Sequence, residues 1–263
     1  MTGAGEGALA AQFQARVFLD PMLSSSRYRN PNCKPAWYKS RQRSITPAQK
    51  RAEKALWPLF GLTYSHGNPL DLAAAFGRPA PRVLEIGCGS GEAIVELAAR
   101  RPDHDFVAVD WMRRGLASCL SVLEERELSN VRLVRADAAS MLSDALDGTP
   151  SIDEALFFFP DPWRGSPERR LVRPDVIASL SRVMRPNGCL RVATDVRTYP
   201  DHVRATLAAA PGWRPVPCAD IEEQRPGHFR PSTKYEREAI AEGRPIEDLC
   251  FVWCPDEDEG GEG

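Results

Sequence analysis

The sequence predicts an α/β protein built on a doubly wound, mostly parallel sheet. From residue 81 onward, short apolar runs suited to buried strands alternate with helical stretches. A glycine run directly follows the first of those strands. Four of the five strands end at a carboxylate, and an open α/β sheet binds its ligand outside the carboxyl ends of its strands. A chain of 263 residues, 43% hydrophobic and 27% charged, fits one large domain with a substantial core.

Residues 1–44 are rich in Gly, Ser, Pro, Arg and Asn without sustained periodicity, which predicts a flexible basic arm. The net charge of −2 hides nine Lys/Arg between Arg27 and Lys54 against one acid, Glu53. The main domain is expected over 45–255. It opens with Thr46 as N-cap and Pro47 at the first helical position, followed by "AQKRAEKALWPLF" with Ala52, Ala55 and Leu56 toward the core. Strands are expected at "RVLEI" (82–86), "FVAVD" (106–110), "VRLVRA" (131–136), "IDEALFFF" (152–159) and "CLRVAT" (189–194), with "IEDLCFVWCP" as a final strand. Helices between them fall at "EAIVELAARR", "RRGLASCLSVLEERE", "ASMLSDAL" and "PDVIASLSRVM". No internal repeat is present, and residues 256–263 read as an acidic, disordered tail.

The seven cysteines include no C-x-x-C pair, and no His stands at zinc-finger spacing. Neither a disulfide scaffold nor a metal site is expected, and a reduced, cytoplasmic compartment follows as the default. The first twenty residues lack a basic region followed by an unbroken apolar run, and no later segment approaches 18 uninterrupted apolar residues, so no membrane association is expected.

The first strand runs into "EIGCGSGE", with Glu85 followed by Gly87, Gly89 and Gly91. The spacing is G-x-G-x-G, whereas dinucleotide enzymes use G-x-G-x-x-G to bring a pyrophosphate onto a helix N-terminus, so a nicotinamide-dependent dehydrogenase is disfavoured. Glu85 before the turn and Asp110 ending the second strand suit a ligand with a ribose but no phosphate. S-adenosylmethionine is such a ligand. Asp137, after the third strand, would face the adenine amino group in this arrangement, although an Asp there is as often a helix N-cap. After the fourth strand comes "FFFPDPWRGSPERRLV". Of Phe157, Phe158 and Phe159, at least two are expected in the core. Asp161 stands between two prolines that fix φ and remove amide donors, which makes a rigid carboxylate, with Trp163 able to cover a base or a cofactor.

"LEIGCGSG", "FFPDPW", "ATD" (193–195) and "PSTKYERE" (231–238), in this order and at these separations, resemble the bacterial tRNA (guanine-N7)-methyltransferase family over roughly residues 41–254. The resemblance implies a seven-stranded sheet of the class I S-adenosylmethionine-dependent methyltransferase type. It also implies methylation at N7 of a tRNA guanosine, in the variable loop, by a monomer or weak homodimer. Glu85, Gly87, Gly89, Gly91, Asp110, Asp137 and Asp161 would hold S-adenosylmethionine, with Asp161 also the catalytic acid residue. Asp195, Thr233, Lys234, Tyr235 and Glu236 would contact the guanosine. Read without the family, Thr233 is an ordinary helix cap. Glu236 could accept hydrogen bonds from the N1 and N2 protons of guanine, a set of donors that adenine lacks.

The run after the Pro-Asp-Pro-Trp motif, "RGSPERR", is about two residues shorter than in the family, with Gly165 where a substrate-binding lysine is expected. Arg169 and Arg170 match its end. Phosphate contacts are therefore expected mainly from the basic arm. Two other functions remain open: a methyltransferase acting on a small heterocycle, and a non-catalytic RNA-binding protein of the same fold.

Overall fold

The computed structural model describes residues 44–65, 69–144, 150–224 and 230–255. The basic arm, apart from residue 44, and the acidic tail lie outside them. The first helix, α1 (Pro47–Phe60), starts where the sequence places it, and its capping box is complete. The Thr46 hydroxyl accepts from the Gln49 amide while the Gln49 side chain accepts from the Thr46 amide. Its buried face differs from the expected one: Leu56, Trp57 and Phe60 are buried and Ala55 is exposed. The two aromatics carry far more apolar area than alanine and set the face that docks.

The remaining elements are β1 (Gly61–Leu62), α2 (Leu72–Phe76), β2 (Arg82–Ile86), α3 (Glu92–Arg100), β3 (Asp105–Asp110), α4 (Arg113–Glu125), β4 (Val131–Arg135) and α5 (Ala138–Asp144). They are followed by β5 (Ile152–Phe158), α6 (Pro174–Val183), β6 (Met184–Thr194), α7 (Tyr199–Ala208), β7 (Trp213–Val216), α8 (Cys218–Gln224), α9 (Lys234–Ala241) and β8 (Glu247–Trp253). The strand order is β1-β4-β3-β2-β5-β6-β8-β7. All neighbours pair parallel except β8, which runs antiparallel to both β6 and β7.

The sheet thus has eight strands where seven were expected. The extra one is the two-residue β1, which extends the β4 edge through Gly61 opposite Leu133 and Leu62 opposite Val134. A segment that short leaves no periodic signal in the sequence. The strand β7 carries Pro215, which argues against a central strand, and it lies at the other edge of the sheet, where a missing amide donor is tolerated.

Two apolar layers cover the sheet. Ile86, Val109, Phe157, Val192 and Tyr199 belong to one, and Val83, Phe106, Leu120, Leu156 and Trp57 to the other. The central strand β2 is buried at all five positions, as a parallel strand covered on both faces should be. The chain winds one way from β2 to β3 and β4 and the other way to β5 and β6. The crevice outside the ends of β2 and β5 is therefore the topological switch point, the place where such sheets bind ligands.

One cysteine expectation is overturned. Cys218 and Cys250 form a disulfide, their Cα atoms 5.3 Å apart. The pairing of β7 with β8 brings together two residues 32 positions apart in the chain, and no short spacing announces such a bond. Cys88 and Cys119 are buried free thiols. Among the described residues no helix is long and apolar enough to cross a membrane, and no group of three or more His, Cys, Asp or Glu is placed to hold a metal ion.

Candidate active site

The glycine turn after β2 is tied to β3 by the amides of Gly87 and Cys88, both of which donate to the carbonyl of Val109 at 2.8 and 3.2 Å. Gly87, Gly89 and Gly91 all have positive φ, at 81°, 56° and 85°, in the region that favours glycine. Their surroundings differ. A Cβ at Gly87 or Gly89 would meet nothing within 4 Å, whereas one at Gly91 would lie 2.3 Å from Cys119 Sγ. The first two therefore leave open space for a ligand against bare backbone, and the third lets α3 and α4 close up. Gly115, which the sequence reading missed, belongs to the same device: a Cβ there would lie 2.3 Å from the Gly89 carbonyl oxygen.

Asp110, at the end of β3, accepts from the Gly89 amide at 2.8 Å and from the Met112 amide at 2.6 Å, so it braces the glycine turn. Burial pushes its carboxyl above the ordinary range, those amide bonds oppose the shift, and the nearby Asp161 adds to it. Glu85 is 4% exposed. Burial, followed by the charge of Asp110, pushes its carboxyl up to about 8. Its Oε2 atom is buried with no hydrogen-bond partner among the described residues. A buried, unsatisfied acceptor beside an open glycine cradle is what a ligand carrying a positive charge and ribose hydroxyls would complete. The site therefore fits S-adenosylmethionine. Asp137 accepts from the Ser140 amide at 3.2 Å and from the Ser140 hydroxyl at 3.0 Å, so it caps α5 just after the end of β4.

The other side of the crevice begins where β5 stops. Phe157 and Phe158 are core residues, and Phe159 is half-buried. Phe159 and Trp163, on either side of Pro160-Asp161-Pro162, both adopt positive φ, 50° and 40°. Bulky residues in that region store strain, and such strain gathers at functional sites. The loop is held down at both ends, by the Phe159 amide on the Ala193 carbonyl at 2.8 Å and by Arg170 Nε on the Pro162 carbonyl at 2.9 Å. Asp161 is left exposed at its apex. Arg170, expected among the RNA-facing charges, is 8% exposed, with its guanidinium 5.4 Å over the ring of Tyr199. Arg169 lies 5.2 Å over the Trp163 ring at the rim.

Asp195 follows β6 and is ion-paired with Arg244. Thr233 caps α9 by accepting from the Glu236 amide, and the Lys234 amide donates to Glu92 Oε2 at 2.6 Å, which docks α9 beside the glycine turn. Tyr235 is 60% exposed, and its ring stacks on that of Phe159 with centroids 6.3 Å apart. Glu236 is not a bare carboxylate. Both of its oxygens accept from Arg230, at 2.8 and 2.9 Å, and Arg230 also donates to both oxygens of Asp248. Arg230, Arg244 and Asp248 were not singled out in the sequence. Arg230 stands three residues before Thr233, immediately before a motif already noticed, so its position was the available signal.

Residues 79–249 match the model of a family described as a putative methyltransferase. The tRNA (guanine-N(7)-)-methyltransferase of Leifsonia xyli subsp. xyli is 42% identical over 227 residues, which are 86% of this chain and 98% of that protein. That of Alkalilimnicola ehrlichii is 40% identical over 215 residues, 80% of this chain and 89% of its own. Among solved structures, the 16S rRNA methyltransferase KamB aligns at 18% identity and a TM-score of 0.49 over 72% of this chain and 95% of that one. The sheet is of the class I S-adenosylmethionine-dependent methyltransferase type, with β1 added at one edge. Identity at this level, running through nearly the whole length of the Leifsonia protein, makes this chain a member of the tRNA (guanine-N7)-methyltransferase family.

Proposed function

We propose that the protein methylates N7 of a guanosine in tRNA, using S-adenosylmethionine. The observation that carries this reading is the pairing of an open glycine cradle and orphaned Glu85 with a strained loop that presents Asp161 across the switch point, in a chain 42% identical to an enzyme named for that reaction. When bound, S-adenosylmethionine supplies an electrophilic methyl group on a sulfonium. Gly87, Gly89, Glu85, Asp110 and Asp137 would hold it, with Asp110 toward the ribose and Asp137 toward the adenine.

Guanine N7 offers a lone pair and carries no proton, so no strong base is required. The chain has to align the base and stabilise the positive charge that appears on the ring. Asp161 is held toward the space shared by cofactor and base, close enough to Asp110 to raise its proton affinity. Tyr235 and Phe159 offer an aromatic face beside it for the base. Asp195, Thr233, Lys234 and Glu236 would take the polar edges of the guanosine. Arg169 and the basic arm would meet the phosphates. Arg170 acts from beneath as a brace for the loop. The working form is a metal-free monomer or weak homodimer in the cytoplasm, where unmodified tRNA is met.

A test is to incubate purified protein with S-adenosylmethionine and tRNA lacking the modification, and to analyse the nucleosides by mass spectrometry. Formation of 7-methylguanosine supports the reading. Its absence at low salt, with a free purine or related base methylated instead, would transfer the activity to a small heterocycle.

A further inference from the structure

Glu236 was expected to read the guanine edge, but it lies in a three-residue array whose purpose that role does not explain. Arg230 is planar and uses its fork twice. Its Nη1 and Nη2 donate to the two oxygens of Glu236 at 2.8 and 2.9 Å, and its Nε and Nη2 donate to those of Asp248 at 2.6 and 3.1 Å. The side chain is 9% exposed, against 16% for Glu236 and 39% for Asp248. It also lies over two rings, 5.4 Å from that of Phe159 and 6.0 Å from that of Phe158. The cation therefore sits between the strained end of β5 and the first turn of α9, fixed by Asp248 near the start of β8.

Resting on the reading of the site as a guanosine methyltransferase, we propose that Arg230 is the specificity-determining positioning residue. Held by Asp248, it locks the Glu236 carboxylate as an oriented acceptor and so sets the choice of guanine by its N1 and N2 protons. A carboxylate oxygen has two lone-pair directions, so an oxygen that accepts from Arg230 still has one to offer. Asp248 fixes the arginine, and the arginine fixes the direction of the remaining lone pairs. Charge works the same way. Without Arg230, Glu236 and Asp248 would be two acids converging on one partly buried place, where a shared proton relieves their repulsion. A protonated carboxyl can donate as well as accept, and it would lose the distinction between a ring edge that donates and one that accepts. Lysine keeps the charge but has no planar fork, so it cannot hold both carboxylates in two-bond contacts.

The test uses the full chain and tRNA transcripts carrying either guanosine or inosine at the methylated position, mapped beforehand. Inosine keeps N7 and the N1 proton but lacks the N2 amino group. Single-turnover methylation at saturating S-adenosylmethionine should favour guanosine by about 10-fold or more in the unaltered protein, as expected for one hydrogen bond to a charged group. In Arg230→Met the preference should fall below about 3-fold, and the rate on guanosine should fall about 10- to 100-fold. Arg230→Lys should recover part of the rate and little of the preference. Arg230→Met should cost nothing further in a Glu236→Gln background, whereas a merely structural arginine would lower both backgrounds alike. Cofactor affinity, read by calorimetry, should stay within about 3-fold throughout, because Arg230 faces the other side of the crevice. Should Arg230→Met fail to fold, Arg230→Lys and Asp248→Asn carry the same ratio. An unchanged guanosine-to-inosine ratio in folded variants, or additive losses with Glu236→Gln, overturns the role of Arg230 while the enzyme remains a tRNA methyltransferase. An unaltered protein that forms no 7-methylguanosine in any transcript overturns the functional reading itself, and this inference with it.

Discussion

On the proposed cofactor side of the crevice the carboxylates are held by amides and a hydroxyl of the loops at the strand ends: Asp110 by the amides of Gly89 and Met112, and Asp137 by Ser140. On the substrate side they are held by arginines from segments on either side of α9: Glu236 by Arg230 and Asp195 by Arg244. The two arrangements answer different demands. Burial, followed by the charge of neighbouring acids, makes Glu85 and Asp110 bind protons more tightly than usual, and a cationic ligand would relieve them. An acid held by arginine is already oriented before a substrate arrives. In the proposed reading, one side is completed by its ligand and the other is preset for recognition.

Between the two sides stands Asp161, and its replacement should have the largest effect. Asp161→Asn keeps the loop shape and removes the charge, so methyl transfer should fall about 10²- to 10³-fold, in line with the loss of one preorganised charge-stabilising group. Cofactor affinity should change little. Single-turnover assays with tRNA, set beside calorimetry with cofactor alone, separate the two quantities. Equal losses in both would place Asp161 on the cofactor side and break the division.

Asp110→Ala should show the reverse pattern, with cofactor affinity weakened about 10- to 100-fold, the worth of a hydrogen bond to a charged group, because both the ribose contact and the brace on Gly89 are lost. Calorimetry showing unchanged affinity would remove Asp110 from the cofactor side.

Glu85 sharpens the comparison through pH. Its carboxyl, pushed up to about 8 from 4.5, holds its proton more tightly in the folded protein than in the unfolded chain. The stabilisation this gives the cofactor-free protein is complete below about 4.5 and is lost as pH rises toward about 8. Glu85→Gln removes the dependence. The variant should melt higher than the parent above about pH 6, by about 2–4 °C for each kcal/mol relieved, and the gap should close near pH 4.5. With cofactor present the order should reverse. Melting curves that run parallel across pH would show Glu85 to be an ordinary carboxylate.

The smallest effect is expected at the rim. Arg169→Ala should flatten the dependence of log affinity for tRNA on log salt by about one unit and leave cofactor binding unchanged. A slope that does not move would confine Arg169 to its packing on Trp163.

Much of this molecule can be read from local sequence because its determinants are local. The five central strands are continuous apolar runs, so their positions in the chain follow from composition, and β2 spans 82–86 as expected. The capping box of α1 needs only Thr46 and Gln49. The acids at or just after the ends of β2, β3, β4 and β5 lie along one edge of the sheet because these parallel strands point their carboxyl ends the same way. Glu85, Asp110, Asp137 and Asp161 are legible for that reason.

What depends on distant segments is not legible. The two-residue β1 exists through its pairing with β4, and the Cys218–Cys250 bond exists because β7 lies beside β8. Gly115 matters only because α4 packs against Gly89. Arg230 could be noticed near its motif, but its two-sided grip needs Asp248 from β8, and Arg170 turns inward only where Pro162 and Tyr199 meet. The sequence by itself determined the central strands, the glycine cradle and the positions of the acids, because each is written within a few neighbouring residues. Only the tertiary structure decided which acids stand with an unsatisfied oxygen and which are held by arginine, since hydrogen bonds and burial are set by residues that the chain brings together from far apart.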